Sequence, residues 1–568
     1  MGRETALKGA CAALLGALAL WLFSPLATCV PVEGFSASIG SIALHLTHDD
    51  IRNYDRLFPF NFQFFAFSRL GVNLFVALLA GPLGLPAEWA LRLTMGSGAA
   101  CFVAGVYLLA RRWSGASPLV VVLLMLLTPG VAETGFFYND NLLSAGLALL
   151  ALALLAGPGR IWSDGLAGLL FGYAMLSRTD AVLLAPAAGL ILWRREESLN
   201  ERLIGRAAML GLASAGVFVA VLAVFGLNPL NLLHIASHAV KLWDRPLNWA
   251  VHALSILWFC GPIVLALSLL GVGVLARARQ GFLLLLIVGE PLLYNLVYLG
   301  KVWEARQLAP LAPFFVTAAA FGLRPFLAPR AGGGRLSLWL LAAAAGLLLL
   351  APSEPHTVRE GPRAMLGRLW SPIVWRRWQD GVRRSFDAVG ALVAAPPAAR
   401  SVIATDTWDA DRYTHLQLQE HGYRPFDLAA GGYPACAPVA EGFVRGGTEI
   451  IHLRLHTPFL NDWRQREVGR YAGAGRACIA EAGGPVIMVS NLSRLQGLFD
   501  LGRSPWAEQA AGLRGAGVDA LVGVRLSPAM QAALPGILER DAAHALALDP
   551  SEAARRPRPQ DAGLAAIR

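Results

Sequence analysis

The feature that most constrains this chain is a succession of long runs of Leu, Ala, Val and Gly that fills the first 350 residues and stops near Ala351. A run of roughly 20 such residues is long enough to cross a hydrocarbon core, where backbone polar groups must be satisfied internally. An α-helix does this within one segment. Apolar segments fall at 7–30, 89–110, 118–129, 142–155, 165–176, 181–193, 204–225, 251–275, 282–299, 308–321 and 336–350, which gives about eleven candidate spans. Several are short for a crossing. They fit helices that end in polar residues within a cavity, or re-entrant segments, or spans whose bounds lie elsewhere. Across 568 residues, 55% are hydrophobic and 15% charged, which excludes an ordinary soluble enzyme.

Loop charge supplies an orientation. With a cytoplasmic N-terminus, the loops ARRWSGAS, AGPGRIWSD, WRREESLNER, LARARQ and GLRPFLAPRAGGGR all lie on the cytoplasmic side, and all are basic-rich. Their clustering accounts for the net charge of +10 and argues against nucleic acid as a partner. HLTHDDIRNYD, ETGFFYNDN, SRTD, residues 228–249 and GKVWEARQ then share the opposite side, with most of the acidic and histidine residues of this half. A further apolar stretch, 58–85, would invert the basic loops if it spanned, so it is placed along the interface. The first apolar run with Ala27-Thr28-Cys29 reads as a membrane span, with a cleaved signal peptide as the alternative.

The expected fold class is therefore a multi-pass α-helical membrane protein with a C-terminal exported α/β domain. Its parts are a membrane domain at 1–351, a surface linker rich in Arg and Trp at 352–400, and a soluble domain at 401–568. In the last part SVIAT, TEIIHLRL, PVIMVS and VDALVGVRL read as buried strands, with RYTHLQLQEHG and PWAEQAAGLRGAG as helices. Cys436 and Cys478 both lie in this domain, which suits a disulfide in an oxidising compartment, two buried thiols being the alternative. No CxxC zinc pattern, P-loop or GxSxG elbow is present.

The charged loops hold the candidate chemistry. HLTHDDIRNYD packs three aspartates, two histidines and an arginine into a few residues, with Asp49 and Asp50 adjacent. Asp140 lies in FFYNDNLLS, Arg178 and Asp180 in LSRTDA, and Lys301, Glu304 and Arg306 in GKVWEARQLAPLAP. Carboxylates at the mouth of a helical bundle can bind a hard cation or take a proton. Arg and Lys beside them can hold a phosphate. His234 and His238, four apart, share one helix face and read as part of an interfacial amphipathic helix, with a metal pair as the alternative.

These motifs resemble the GT-C superfamily of polyprenyl-phosphate-sugar-dependent glycosyltransferases, the group of protein mannosyltransferases and aminoarabinose transferases. The resemblance is carried by HDD, by GLPAEWALRLTMGSGAACFVAGVYLLARRWSG with its Glu and Arg-Leu, by TPGVAETGFFYNDNLLSAGLALL, by GLLFGYAMLSRTDAVLLAPAAGLIL and by EARQLAPLAPFF. It covers roughly residues 1–350, and it departs from the family where a Tyr commonly follows the late Arg and Gln307 stands here. What it implies is an inverting sugar transfer from a polyprenyl-phosphate donor to a glycan, lipid or protein hydroxyl, outside the cell's inner (plasma) membrane. Asp50 would be the general base, with Asp49 as alternate. Arg306, Lys301 and Arg178 would hold the donor phosphate, and Asp140 would help hold a divalent cation (Mg, Mn or Ca). A secondary transporter is the competing class, but the chain lacks repeated halves and has little midspan charge. A non-catalytic assembly protein is the other.

Overall fold

A computed structural model describes residues 69–133, 141–157, 161–196, 200–224, 249–298, 305–327, 389–405, 408–455, 468–491, 521–532 and 534. The chain divides into two compact units. The described residues up to Leu327 are helical, and those from residue 389 onward build a sheet with flanking helices.

In the first unit the helices are α1 (Leu70–Ala80), α2 (Ala87–Ser114), α3 (Pro118–Leu126), α4 (Pro129–Glu133), α5 (Asn141–Leu155), α6 (Ile161–Ser177), α7 (Ala185–Glu196), α8 (Glu201–Val224), α9 (Trp249–Arg277), α10 (Gly281–Leu284), α11 (Glu290–Tyr298) and α12 (Ala312–Leu327). Short 3-10 turns at Thr179–Leu184 and Ala305–Leu311 lead into α7 and α12, and a π turn at Leu285–Gly289 leads into α11. Four stretches are long and apolar enough to cross a membrane: Ala87–Ser114, Glu201–Val224, Phe259–Arg277 and Gln307–Leu327. Every expected span except the first and the last coincides with described helix. Those two, at 7–30 and 336–350, lie outside the described residues, as do His234 and His238.

Local signals set the helix ends. Pro86 precedes α2, whose first turn carries Glu88, paired at i,i+4 with the buried Arg92. At its other end Gly115 takes the left-handed conformation (φ 61°) and returns its N–H to the Arg111 carbonyl. Arg111 and Arg112 sit in that last turn, where the helix dipole favours cations. Ser117 then caps α3 and Pro118 takes its first position. The Gly261-Pro262 pair breaks α9, Gly261 adopting φ 70° and ψ 159°.

Small residues let the helices close on one another. A Cβ at Gly98 of α2 would stand 2.6 Å from the Leu143 backbone nitrogen of α5, and one at Gly105 would stand 2.6 Å from the Leu149 Cβ. The two contacts advance in the same direction along both chains, so α2 and α5 run side by side and parallel. Such glycines matter most where lipid is the alternative neighbour, because packing then supplies what water would not. Helix α1 lies within the 58–85 stretch. It buries Leu70, Val72 and Val76, and its Gly71 carbonyl accepts from the Tyr173 hydroxyl of α6 at 2.8 Å.

The second unit is a six-stranded sheet of order β2-β3-β4-β1-β5-β6. Its strands are β1 (Arg400–Thr405), β2 (Arg424–Phe426), β3 (Ala440–Arg445), β4 (Thr448–Arg454), β5 (Val486–Asn491) and β6 (Leu521–Arg525), with helices α13 (Trp408–Glu420) and α14 (Val468–Ala482). β1 is parallel to β4 and β5, and the remaining pairs are antiparallel. Parallel strands need crossover connections, which α13 and α14 help to supply. Val402, Ala404, Ile451, Leu453, Val486 and Met488 share one apolar cluster with Cys478 and Ala482 of α14. The strand period of two therefore sends Ile403, Thr405, His452 and Arg454 to the other face.

Cys436 and Cys478 form a disulfide, their Cα atoms 4.4 Å apart and both side chains fully buried. It ties the segment before β3 to α14 across 42 residues. Replacing both cysteines by serine is expected to cost about 2–4 kcal/mol of stability in this unit. Denaturant-dependent proteolysis of the detergent-purified chain, followed on C-terminal fragments, checks this. An unchanged midpoint would show that the bond contributes nothing.

Candidate functional site

A pocket in the helical unit gathers one of the expected phosphate-binding residues with the neighbours of two other expected site residues. It is lined by Asn141 and Ser144 of α5, Arg178 and Asp180 of the turn after α6, Tyr294 of α11, and Gln307 of the 3-10 turn before α12. Asn141 is bonded in sequence to Asp140, and Gln307 to Arg306. Asp49, Asp50, Asp140 and Lys301 lie outside the described residues, as does the Arg306 side chain.

Each wall is held by a specific contact. Arg178 ends α6, its N–H donating to the Ala174 carbonyl, in an extended conformation that turns the chain. Its guanidinium donates from Nε to Asp180 Oδ1 (2.9 Å) and Oδ2 (3.1 Å), and from Nη2 to Oδ2 (2.7 Å). A bidentate pair of this kind fixes both side chains. Ser144 donates to the Ala174 carbonyl at 3.0 Å, tying α5 to α6. The Tyr294 hydroxyl donates to the Gln307 carbonyl at 3.0 Å, tying α11 to the turn that contains Arg306.

Sequence reading missed two features here. Arg178 is not a bare cation, because Asp180 shares its charge. Glu290, one helical turn before Tyr294, is 2% exposed and accepts a hydrogen bond from the Ala187 backbone at the start of α7. A lone carboxyl buried in an apolar helix is costly, and it follows directly on the π turn. Its fixed contact across to α7 holds α11, and with it Tyr294, against the turn that carries Arg178. The one available signal was a single acid inside an apolar run.

The second unit buries a dense polar cluster that sequence reading also missed. It lies between α13 and the sheet face that carries Thr405, Glu441, His452 and Arg454. Arg454 Nε approaches Asp411 Oδ1 at 2.6 Å, and its Nη2 donates to Glu441 Oε2 at 2.8 Å. His415 Nδ1 is 2.8 Å from the same Glu441 oxygen. His452 Nε2 is 3.2 Å from Thr405 Oγ1 and 3.5 Å from Asp411 Oδ1. Arg412 Nε is 3.5 Å from Asp411 Oδ2. Burial alone would raise the Asp411 carboxyl, but Arg454, Arg412 and the histidines outweigh it and hold it at about 2. Burial pushes His452 down to about 3. It also raises Glu441, against the pull of Arg454.

His415, Glu441 and His452 bring ligand-type atoms within 4.8 Å of one another, a donor set that a divalent transition metal accepts. The charge balance opposes such an ion. Two carboxyl groups already face the guanidiniums of Arg412 and Arg454, and an added dication would enter a buried site with no carboxylate left to neutralise it. The cluster therefore reads as an ion network that registers α13 on the sheet.

No protein-family model matches the chain, and no curated protein matches it. Among solved structures, ArnT from Cupriavidus metallidurans bound to undecaprenyl phosphate is similar at 13% identity, over 86% of this chain and 94% of that one, with a TM-score of 0.48. ArnT from the same organism in the apo state is similar at 12% identity, over 87% and 95%, with a TM-score of 0.49. Likenesses at this level do not assign the chain to a family.

Two outcomes follow from the buried cluster. Arg454→Met leaves the buried Glu441 without its guanidinium and Asp411 with only the more distant Arg412, and is expected to destabilise the second unit by about 3–5 kcal/mol. The pH dependence isolates His452, which stays neutral in the fold down to about 3 while an unfolded chain protonates near 6.5. Its neutral contacts thus stabilise fully above pH 6.5, and that contribution declines as pH falls towards 3. The stability gap between wild type and His452→Gln, measured by the same proteolysis, should narrow on going from pH 7 to pH 4. A gap that widens would contradict the neutral assignment.

Proposed function

We propose that this chain is a membrane glycosyltransferase that moves a sugar from a polyprenyl-phosphate donor to an acceptor hydroxyl on the extracytoplasmic face, with inversion at the anomeric carbon. The observation that carries the reading is the pocket that joins Arg178 to the neighbours of Asp140 and Arg306. Sequence motifs from separate loops meet there, as a shared site requires and as unrelated solvated loops would not. The apolar helices around it suit a donor whose chain lies in a bilayer and whose phosphate meets basic groups at the helix ends.

In this reading residues 1–351 form the catalytic membrane domain, 352–400 a surface linker, and 401–568 an extracytoplasmic domain. The disulfide and the basic loops support that sidedness. The acceptor oxygen attacks the anomeric carbon while the bond from that carbon to the phosphate oxygen breaks. Asp50, or Asp49 in its place, takes the hydroxyl proton, and polyprenyl phosphate departs with the bonding electrons. Arg306, Lys301 and Arg178 stabilise the phosphate as its charge develops. Asp180 then presents the Arg178 guanidinium in one orientation and moderates its charge. Asp140 is the residue that would hold a divalent cation. The described lining adds only Asp180 to it, already bound to Arg178, so no step here is routed through a metal.

Asp50→Asn keeps the side-chain shape and removes the base. Turnover with a lipid-linked sugar is expected to fall about 10²-fold or more, with donor binding retained. Arg178→Gln should weaken donor binding instead. Near-normal turnover in Asp49→Asn, Asp50→Asn and their double variant, measured on folded protein, would exclude this loop as the source of the base.

A further inference from the structure

At the other end of α5 a separate groove opens between α2 and α5. Tyr107, Leu108, Arg111 and Arg112 line it from α2, and Leu150, Ala153 and Leu154 from α5. The first set recurs at i, i+1, i+4 and i+5 and the second at i, i+3 and i+4, so each occupies one helix face. Asn141 of the Arg178 pocket and Leu154 are separated along α5 by about 20 Å of helix rise. The groove is thus distinct from that pocket. It begins just beyond the Gly105–Leu149 contact, where the last close-packing glycine gives way to Tyr107 and Leu108.

The chemistry of the groove is two-part. Leu108, Leu150, Ala153 and Leu154 offer apolar wall, and Leu108 is 47% exposed. Arg111 and Arg112 are exposed at the mouth, and neither has a carboxylate partner among the described residues. Arg111 Nη1 instead donates to the Tyr107 hydroxyl at 2.9 Å, which lays the guanidinium along the groove. Positive charge accumulates around it. Arg195 donates to the Leu155 carbonyl at 2.9 Å and lies close enough to Arg112 for the two to repel. Asp164 and Glu196 offset this only in part, because both are paired with Arg206. A site with apolar walls along the helices and, at their ends, two arginines that no carboxylate among the described residues pairs with calls for an amphiphile with an anionic head.

We propose that this groove binds an anionic phospholipid, its acyl chains against Leu108, Leu150 and Leu154 and its phosphate held by Arg111 and Arg112. The inference rests on the membrane placement of the proposed function but not on sugar transfer. The lipid is a structural ligand at the end of the bundle remote from the Arg178 pocket.

The test is native mass spectrometry of the delipidated, detergent-purified full chain, offered phosphatidylglycerol or phosphatidylethanolamine at equal concentration. Wild type is expected to retain one phosphatidylglycerol in preference to phosphatidylethanolamine. Arg111→Ala with Arg112→Ala should lower that retention about tenfold or more, while Arg277→Ala, an exposed arginine elsewhere, should leave it unchanged. Leu108→Trp keeps both charges and fills the groove, and should also displace the lipid. Equal retention of the two lipids, or retention by the double variant equal to that of Arg277→Ala, would overturn the proposal. So would undiminished retention in Leu108→Trp. No sugar donor enters this measurement, so absent turnover leaves it standing and absent lipid retention leaves the transferase reading standing.

Discussion

The first unit depends on one constraint: helices that cannot rely on water must satisfy and pack their polar groups against each other. The parallel contact of α2 with α5 meets it through Gly98 and Gly105, which bring backbone to within van der Waals distance of the Leu143 backbone and the Leu149 side chain. α9 and α12 close in the same manner, Gly322 standing against the Leu267 carbonyl oxygen with no room for a Cβ. Once these helices are fixed, their ends are fixed too. The turn with Arg178, the start of α5 and the turn before α12 meet at one pocket because the bundle leaves them no alternative.

The two units handle buried charge in different ways. Among the described residues of the helical unit, buried charge is held in small separate sets, as in Arg178 with Asp180, Glu88 with Arg92, Asp164 and Glu196 with Arg206, and Glu290 with the Ala187 backbone. In the sheet unit four charged side chains and two histidines are packed together at 2% exposure or less. Replacing such a network by apolar residues can leave stability unchanged, whereas removing one member leaves a buried charge exposed to a low dielectric. Its value lies in register. Only one placement of α13 brings Asp411 and His415 onto Arg454, Glu441 and His452 together.

How much was legible in the sequence follows from how local each signal is. Apolar runs and basic loops are local, so the helices from α2 to α12 other than the short α4, and the four strands read from SVIAT, TEIIHLRL, PVIMVS and VDALVGVRL, appear where their hydrophobicity puts them. β2 and β3 were not legible. RPF is too short to show a period, and AEGFVR follows a Gly- and Pro-rich stretch that reads as loop. The buried network was hidden because His452 and Arg454 alternate with Ile451 and Leu453, so the strand read as apolar while its opposite face carried charge. At the pocket, Arg178 was identified as a cation, but its closure by Asp180 depends on side-chain geometry that spacing alone does not fix. Glu290 had no partner within reach in sequence, and only the packing of α11 on the start of α7 gives it a role.

The central claim is that this bundle uses a lipid-linked sugar, and the most direct measurement is product formation by the purified full chain. Incubation with a panel of labelled polyprenyl-phosphate sugars and candidate hydroxyl acceptors should release polyprenyl phosphate from one donor, in a one-to-one ratio with glycosylated acceptor. Release of free polyprenyl phosphate without sugar transfer, or no turnover of any donor by folded protein that binds them, would contradict the account.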